Sequence, residues 1–102
     1  MNKISFFYSA DDVFNTSVKA LKKRDYKILE ADAENKTIKA SYKEGVLKPV
    51  VTVEMKVEKV SDTQSNLKIV SDSKGGFLTA KNYEAKAEQK LVNTLYRLFD
   101  TI

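Results

Sequence analysis

The side chains of this chain that could do chemistry are carboxylates, lysines, hydroxyls and phenols, because its 102 residues include no histidine and no cysteine. That composition removes the commonest general base, the thiol nucleophile and the usual soft metal ligands together. Two carboxylate pairs lie close in sequence, Asp11 with Asp12 and Glu30 with Asp32. The first falls where a helix N-terminus is expected, and capping explains it. The second is expected to straddle a strand pleat, and neither pair offers the converging oxygens of a hard-cation site. No metal and no cofactor is expected. The serines at Ser41-Tyr42-Lys43-Glu44 and Ser71-Asp72-Ser73-Lys74 miss the spacing of a serine–lysine nucleophile pair. Gly75-Gly76 precedes a predicted helix without a phosphate-loop or dinucleotide signature. The catalytic set is empty on this reading, and no enzyme is expected.

The cations are more numerous: 18 Lys and Arg stand against 14 Asp and Glu, a net charge of +4. Lys39, Lys43, Lys56 and Lys68 fall in the polar phase of predicted strands and form a candidate polyanion contact. Glu54 and Glu58 share that face, and most aromatics lie in the apolar phase, where they cannot serve as stacking platforms. Nucleic-acid binding is therefore kept as a weak second alternative. Lys19, Lys22, Lys23 and Arg24 form the densest basic cluster, at a predicted helix end where cations offset the dipole.

The elements that must position these groups follow from periodicity. Ile4, Phe6 and Tyr8 alternate with polar neighbours as a first strand, with Phe7 on its other face. Ser9 with Asp12 has the form of a capping box, and Tyr8 with Val13 that of a hydrophobic staple, so a helix starts at Ala10. Phe14, Val18 and Leu21 give it an apolar stripe. Tyr26 to Ala31 reads as a strand, and Ala33-Glu34-Asn35-Lys36 as a turn in which Asn35 takes the left-handed conformation. Ile38, Ala40 and Tyr42 mark the next strand. After Glu44 to Pro49, Val51, Val53, Met55 and Val57 alternate in a long strand from Val50 to Lys59. Ser61 to Ser65 is a hairpin loop, and Leu67, Ile69 and Ser71 face one way in a fifth strand. Asp72 to Phe77 is expected to be flexible. Thr79 caps a final helix, with Leu78 and Tyr83 as its staple and Ala80, Ala87, Leu91, Leu95 and Leu98 as its buried stripe.

The order β-α-β-β-β-β-α predicts one α+β domain over residues 1–102, a curved antiparallel sheet with both helices packed on one face. The stretch Ala20-Leu21-Lys22-Lys23-Arg24-Asp25-Tyr26-Lys27-Ile28-Leu29-Glu30-Ala31-Asp32, followed by Asn35-Lys36-Thr37-Ile38-Lys39-Ala40-Ser41, resembles a pattern in small bacterial domains. These belong to the TATA-binding-protein-like fold group, which includes the repeated domains of the BamC lipoprotein of outer-membrane assembly. The chain carries Asp25 where that pattern has a small residue, usually Gly, and it has no lipobox cysteine. The resemblance implies a binding or scaffolding unit and brings no catalytic residues.

The leading expectation is a non-enzymatic module that engages a protein partner through Val46 and Leu47 at a hairpin tip, through Gly75, Gly76 and Phe77, or through an exposed strand edge. The alternative is a small apolar ligand or lipid, held in a pocket between the last helix and the sheet near Met55, Tyr83 and Leu91. No apolar run is long enough to span a membrane. The chain as it stands is expected to be cytoplasmic, or extracytoplasmic if a leader has been removed, and monomeric or weakly self-associating.

Overall fold

The computed structural model describes residues 2–43, 50–74 and 80–100, with side chains described over 3–43, 50–73 and 85–100. In chain order the elements are β1 (Asn2–Phe6), α1 (Ala10–Lys23), β2 (Lys27–Asp32), β3 (Thr37–Tyr42), β4 (Val50–Ser61), β5 (Gln64–Lys74) and α2 (Ala80–Asp100). The strands form an open antiparallel sheet in the order β1-β5-β4-β3-β2. Both helices lie on one face, as the α+β reading requires.

Alternation decides which face that is. Val51, Val53, Met55 and Val57 of β4 are buried, while Glu54, Lys56 and Glu58 between them are exposed. Ile38 and Ala40 of β3 and Leu67 and Ile69 of β5 continue the buried face through direct cross-strand pairing. Val13, Phe14, Ala20 and Leu21 from α1 and Leu91, Val92, Leu95 and Phe99 from α2 close the core from above. The far end is bolted by aromatics: Phe99 packs 4.6 Å from Phe6 and 4.5 Å from Tyr8, centroid to centroid, and Tyr8 donates from its hydroxyl to the Phe99 carbonyl at 3.3 Å.

Several boundaries differ from expectation. β1 ends at Phe6, and Tyr8 reaches the core from the connection rather than from the strand, while Phe7 stays 80 % exposed. The start of α1 agrees with expectation: Ser9 caps it by accepting from the Asp12 amide at 3.1 Å, and the helix begins at Ala10. β4 and β5 are longer than predicted and meet at a tight turn, because pairing continues to Ser61 and Gln64. β5 also extends through Asp72 to Lys74, since those residues pair with Thr52, Val51 and Val50. Gly75 to Thr79 lie outside the described residues.

The β2–β3 turn places the left-handed residue one position late. Lys36, not Asn35, has a positive φ of 58°. Asp32 accepts from the Glu34 and Asn35 amides, each at 3.0 Å, and from Asn35 Nδ2 at 2.7 Å, which pins Asn35 within the turn. The reversal then falls on Lys36, whose carbonyl accepts from Val57 at 2.9 Å and whose amine pairs with Asp11 at 2.9 Å.

Among the described residues no helix is long and apolar enough to cross a membrane.

Candidate functional site

The chain leaves α1 through a turn that delivers Tyr26 into the interior. The Asp25 amide donates to the Lys22 carbonyl at 3.1 Å and the Tyr26 amide to the Leu21 carbonyl at 2.9 Å, the paired bonds of a Schellman motif. Asp25 occupies its left-handed position with φ of 63°. The Gly of the resembling pattern is therefore replaced by a residue that tolerates the same backbone. Tyr26, next in sequence, is only 7 % exposed, and its ring lies 5.2 Å from that of Tyr42.

The Tyr26 hydroxyl has no hydrogen-bond partner. Burial, with smaller contributions from Tyr42 and Glu88, pushes the phenol up to about 12, so it stays protonated and can act as a donor. Glu88 of α2 is buried although it is acidic, and its Oε1 accepts from Ser71 Oγ at 2.8 Å across the helix–sheet interface. Ser71 pairs with Val53, and Val51 beside it pairs with both Tyr42 and Ser73. Tyr26, Tyr42, Ser71 and Glu88 thus form a polar group at one end of the α2–sheet interface.

Sequence reading missed this group. Its signal was present: Glu88 stands three and four positions before Leu91 and Val92, on the apolar stripe of α2, and Ser71 stands in the phase of Leu67 and Ile69. A polar residue on each of two facing apolar surfaces is a pairing signature. Of the predicted pocket residues, Met55 and Leu91 are 2 % and 0 % exposed and belong to the packed core, and the Tyr83 side chain lies outside the described residues. The predicted partner-binding residues Val46, Leu47, Gly75, Gly76 and Phe77 lie outside them as well.

The open face carries a groove of about 370 Å3 lined by Glu30, Lys39, Glu54, Lys56, Lys68 and Val70, among others. Three of the four predicted polyanion contacts, Lys39, Lys56 and Lys68, line this groove, and Lys43 does not. Lys39 pairs with Glu54 at 3.8 Å, Lys56 and Lys68 stand opposite each other, and Lys43 follows the far end of β3. Glu30 and Asp32 share this face, opposite Lys39 and Thr37, rather than straddling the pleat. Asp32 is held below the usual carboxylate range, chiefly by the Asn35 amide and then by its side chain. Among the described residues no cluster of acidic side chains is arranged to hold a metal.

Comparison with protein-family models found no match, and comparison with curated proteins found none. A solved structure with a similar fold is that of the di-domain ARO/CYC StfQ from the steffimycin biosynthetic pathway, with a TM-score of 0.70 and 13 % identity. The likeness covers 92 % of this chain and 42 % of StfQ, so the chain spans less than half of that protein. It shows the fold and carries no relation to the BamC domains. It also corrects the expectation that no enzyme is to be sought here: an aromatase/cyclase is built on this architecture. The earlier exclusion rested on absent histidine and cysteine, whereas phenols, carboxylates and hydroxyls can also move protons.

Proposed function

We propose that this chain binds a small, mainly apolar molecule bearing a neutral hydrogen-bond acceptor, at the end of the α2–sheet interface marked by Tyr26, Tyr42, Ser71 and Glu88. The observation that carries this reading is the buried Tyr26 hydroxyl without a partner. Buried tyrosine hydroxyls normally find one, and leaving a polar group unsatisfied costs about 1–3 kcal/mol. A ligand carbonyl or hydroxyl at that oxygen would remove the deficit. Glu88 disfavours a carboxylate ligand at the same place and favours one with a donor of its own. The fold shared with an aromatase/cyclase is compatible with a small organic ligand. The residues named for a protein partner, Val46, Leu47, Gly75, Gly76 and Phe77, lie outside those described.

The test is displacement of a neutral fluorophore such as Nile red by a panel of uncharged aromatic ketones and phenols. Saturable binding at one site is expected, with Tyr26→Phe weakening ketone affinity about threefold to tenfold, the effect of one hydrogen bond. Absence of saturable binding, or equal affinity in Tyr26→Phe, would sink the reading.

A further inference from the structure

The register of the sheet sets three lysines in one rank. Lys3 of β1 stands directly opposite Lys68 of β5, and Lys68 directly opposite Lys56 of β4. Opposed side chains of this kind leave their Cβ atoms about 4.5–5.5 Å apart, so three ammonium groups share two strand spacings, about 10 Å. They project from the open face, because the flanking residues Leu67, Ile69, Met55 and Val57 are buried on the other. Among the described residues none of the three forms an ion pair, and the neighbouring Glu54 is engaged by Lys39. Like charges directly opposite repel, so the rank calls for an anion from outside.

Its boundaries identify the kind of anion. Beyond Lys56 the rank passes through Thr37 and ends at Asp32, a carboxylate held ionised by its own turn. Along β4, Lys56 is flanked by Glu54 and Glu58. A nucleic-acid strand crossing this face would lay phosphates over those carboxylates, whereas a compact group can centre on the three lysines. Lys56 and Lys68 also line the groove of about 370 Å3, together with Glu30 and the Lys39-paired Glu54, and there Val70, 38 % exposed, offers contact for an organic remainder.

We propose that Lys3, Lys68 and Lys56 form a binding site for a small ligand carrying two or three linked phosphate groups. The site is independent of the helix–sheet interface. Inorganic tripolyphosphate is the probe, titrated into the intact chain and followed by calorimetry and by backbone amide shifts. The expected result is one saturable site, with shifts centred on Lys3, Lys56 and Lys68. Lys68→Gln weakens it about tenfold, the loss of one charge-assisted contact. Lys43→Gln makes the same change in net charge about 20 Å along the sheet, and leaves affinity within about twofold because salt screens that distance. Equal weakening by the two variants would reduce the effect to net charge and overturn the site. So would the absence of binding, or an oligonucleotide affinity that grows with length and that tripolyphosphate fails to compete.

Discussion

Ser71 Oγ donates to Glu88 Oε1 at 2.8 Å, tying the last strand of the sheet to the last helix across an apolar interface. A hydrogen bond to a charged group contributes about 1.5–3 kcal/mol, more than a neutral one, and its loss leaves a carboxylate short of a donor in a buried place. Ser71→Ala should therefore lower stability by about 1–3 kcal/mol in urea denaturation. A double-mutant cycle with Glu88→Ala should show coupling between the two positions, and strict additivity would show that the bond contributes nothing.

Tyr26→Phe should move stability and ligand binding in opposite directions. Removing an unpartnered buried hydroxyl leaves the free protein as stable as before, or more stable by about 1 kcal/mol, while ketone binding weakens. A variant that lost both would place the hydroxyl in an ordinary structural bond.

The phenol of Tyr26 also makes a prediction for alkaline pH. Its folded value, about 12, lies above the ordinary 10.0. Below 10 both folded and unfolded chains hold the proton, so the contribution to stability is complete. As pH rises from 10 towards 12 the unfolded chain ionises first, and stability falls. Absorbance titration of the tyrosines should show one that ionises late, and its absence in Tyr26→Phe identifies it.

Asp25→Gly should stabilise the chain by about 0.5–1 kcal/mol, because glycine takes the left-handed position of a Schellman turn without steric penalty. It also removes a negative charge from the negative end of α1. A midpoint of urea unfolding that fails to rise would show that the Asp25 side chain holds the turn in another way.

Lys68→Thr should raise the stability of the anion-free protein by about 0.2–1 kcal/mol by relieving the opposed lysines. Adding tripolyphosphate should raise the melting temperature of the parent chain more than that of the variant. Equal responses from both proteins would contradict the lysine rank.

The architecture was legible in the sequence because its signals are local. Alternation in β4, the Ser9 cap of α1 and the stripe of α2 each depend on residues within a few positions of one another. What the sequence withheld is non-local. Lys3 lies in the polar phase of β1, yet nothing near it says that β1 pairs with β5 and so places it against Lys68. Tyr26 was read as the first residue of a strand, because a Schellman turn with Asp in the place of Gly has a weak local signature. The lysines of the polar face were counted as one group, although register divides them into a rank, a paired residue and an outlier.

The first described strand pairs with a distant one. β1 lies at the edge of the sheet and pairs only with β5, whose residues Ser65 to Ile69 follow it by some sixty positions, so during synthesis it emerges long before its partner exists. The hairpins β2–β3, β3–β4 and β4–β5 join consecutive strands and can assemble in order behind α1. Closing the sheet with β1 completes the lysine rank, so the charge pattern of the open face depends on a pairing between segments some sixty positions apart.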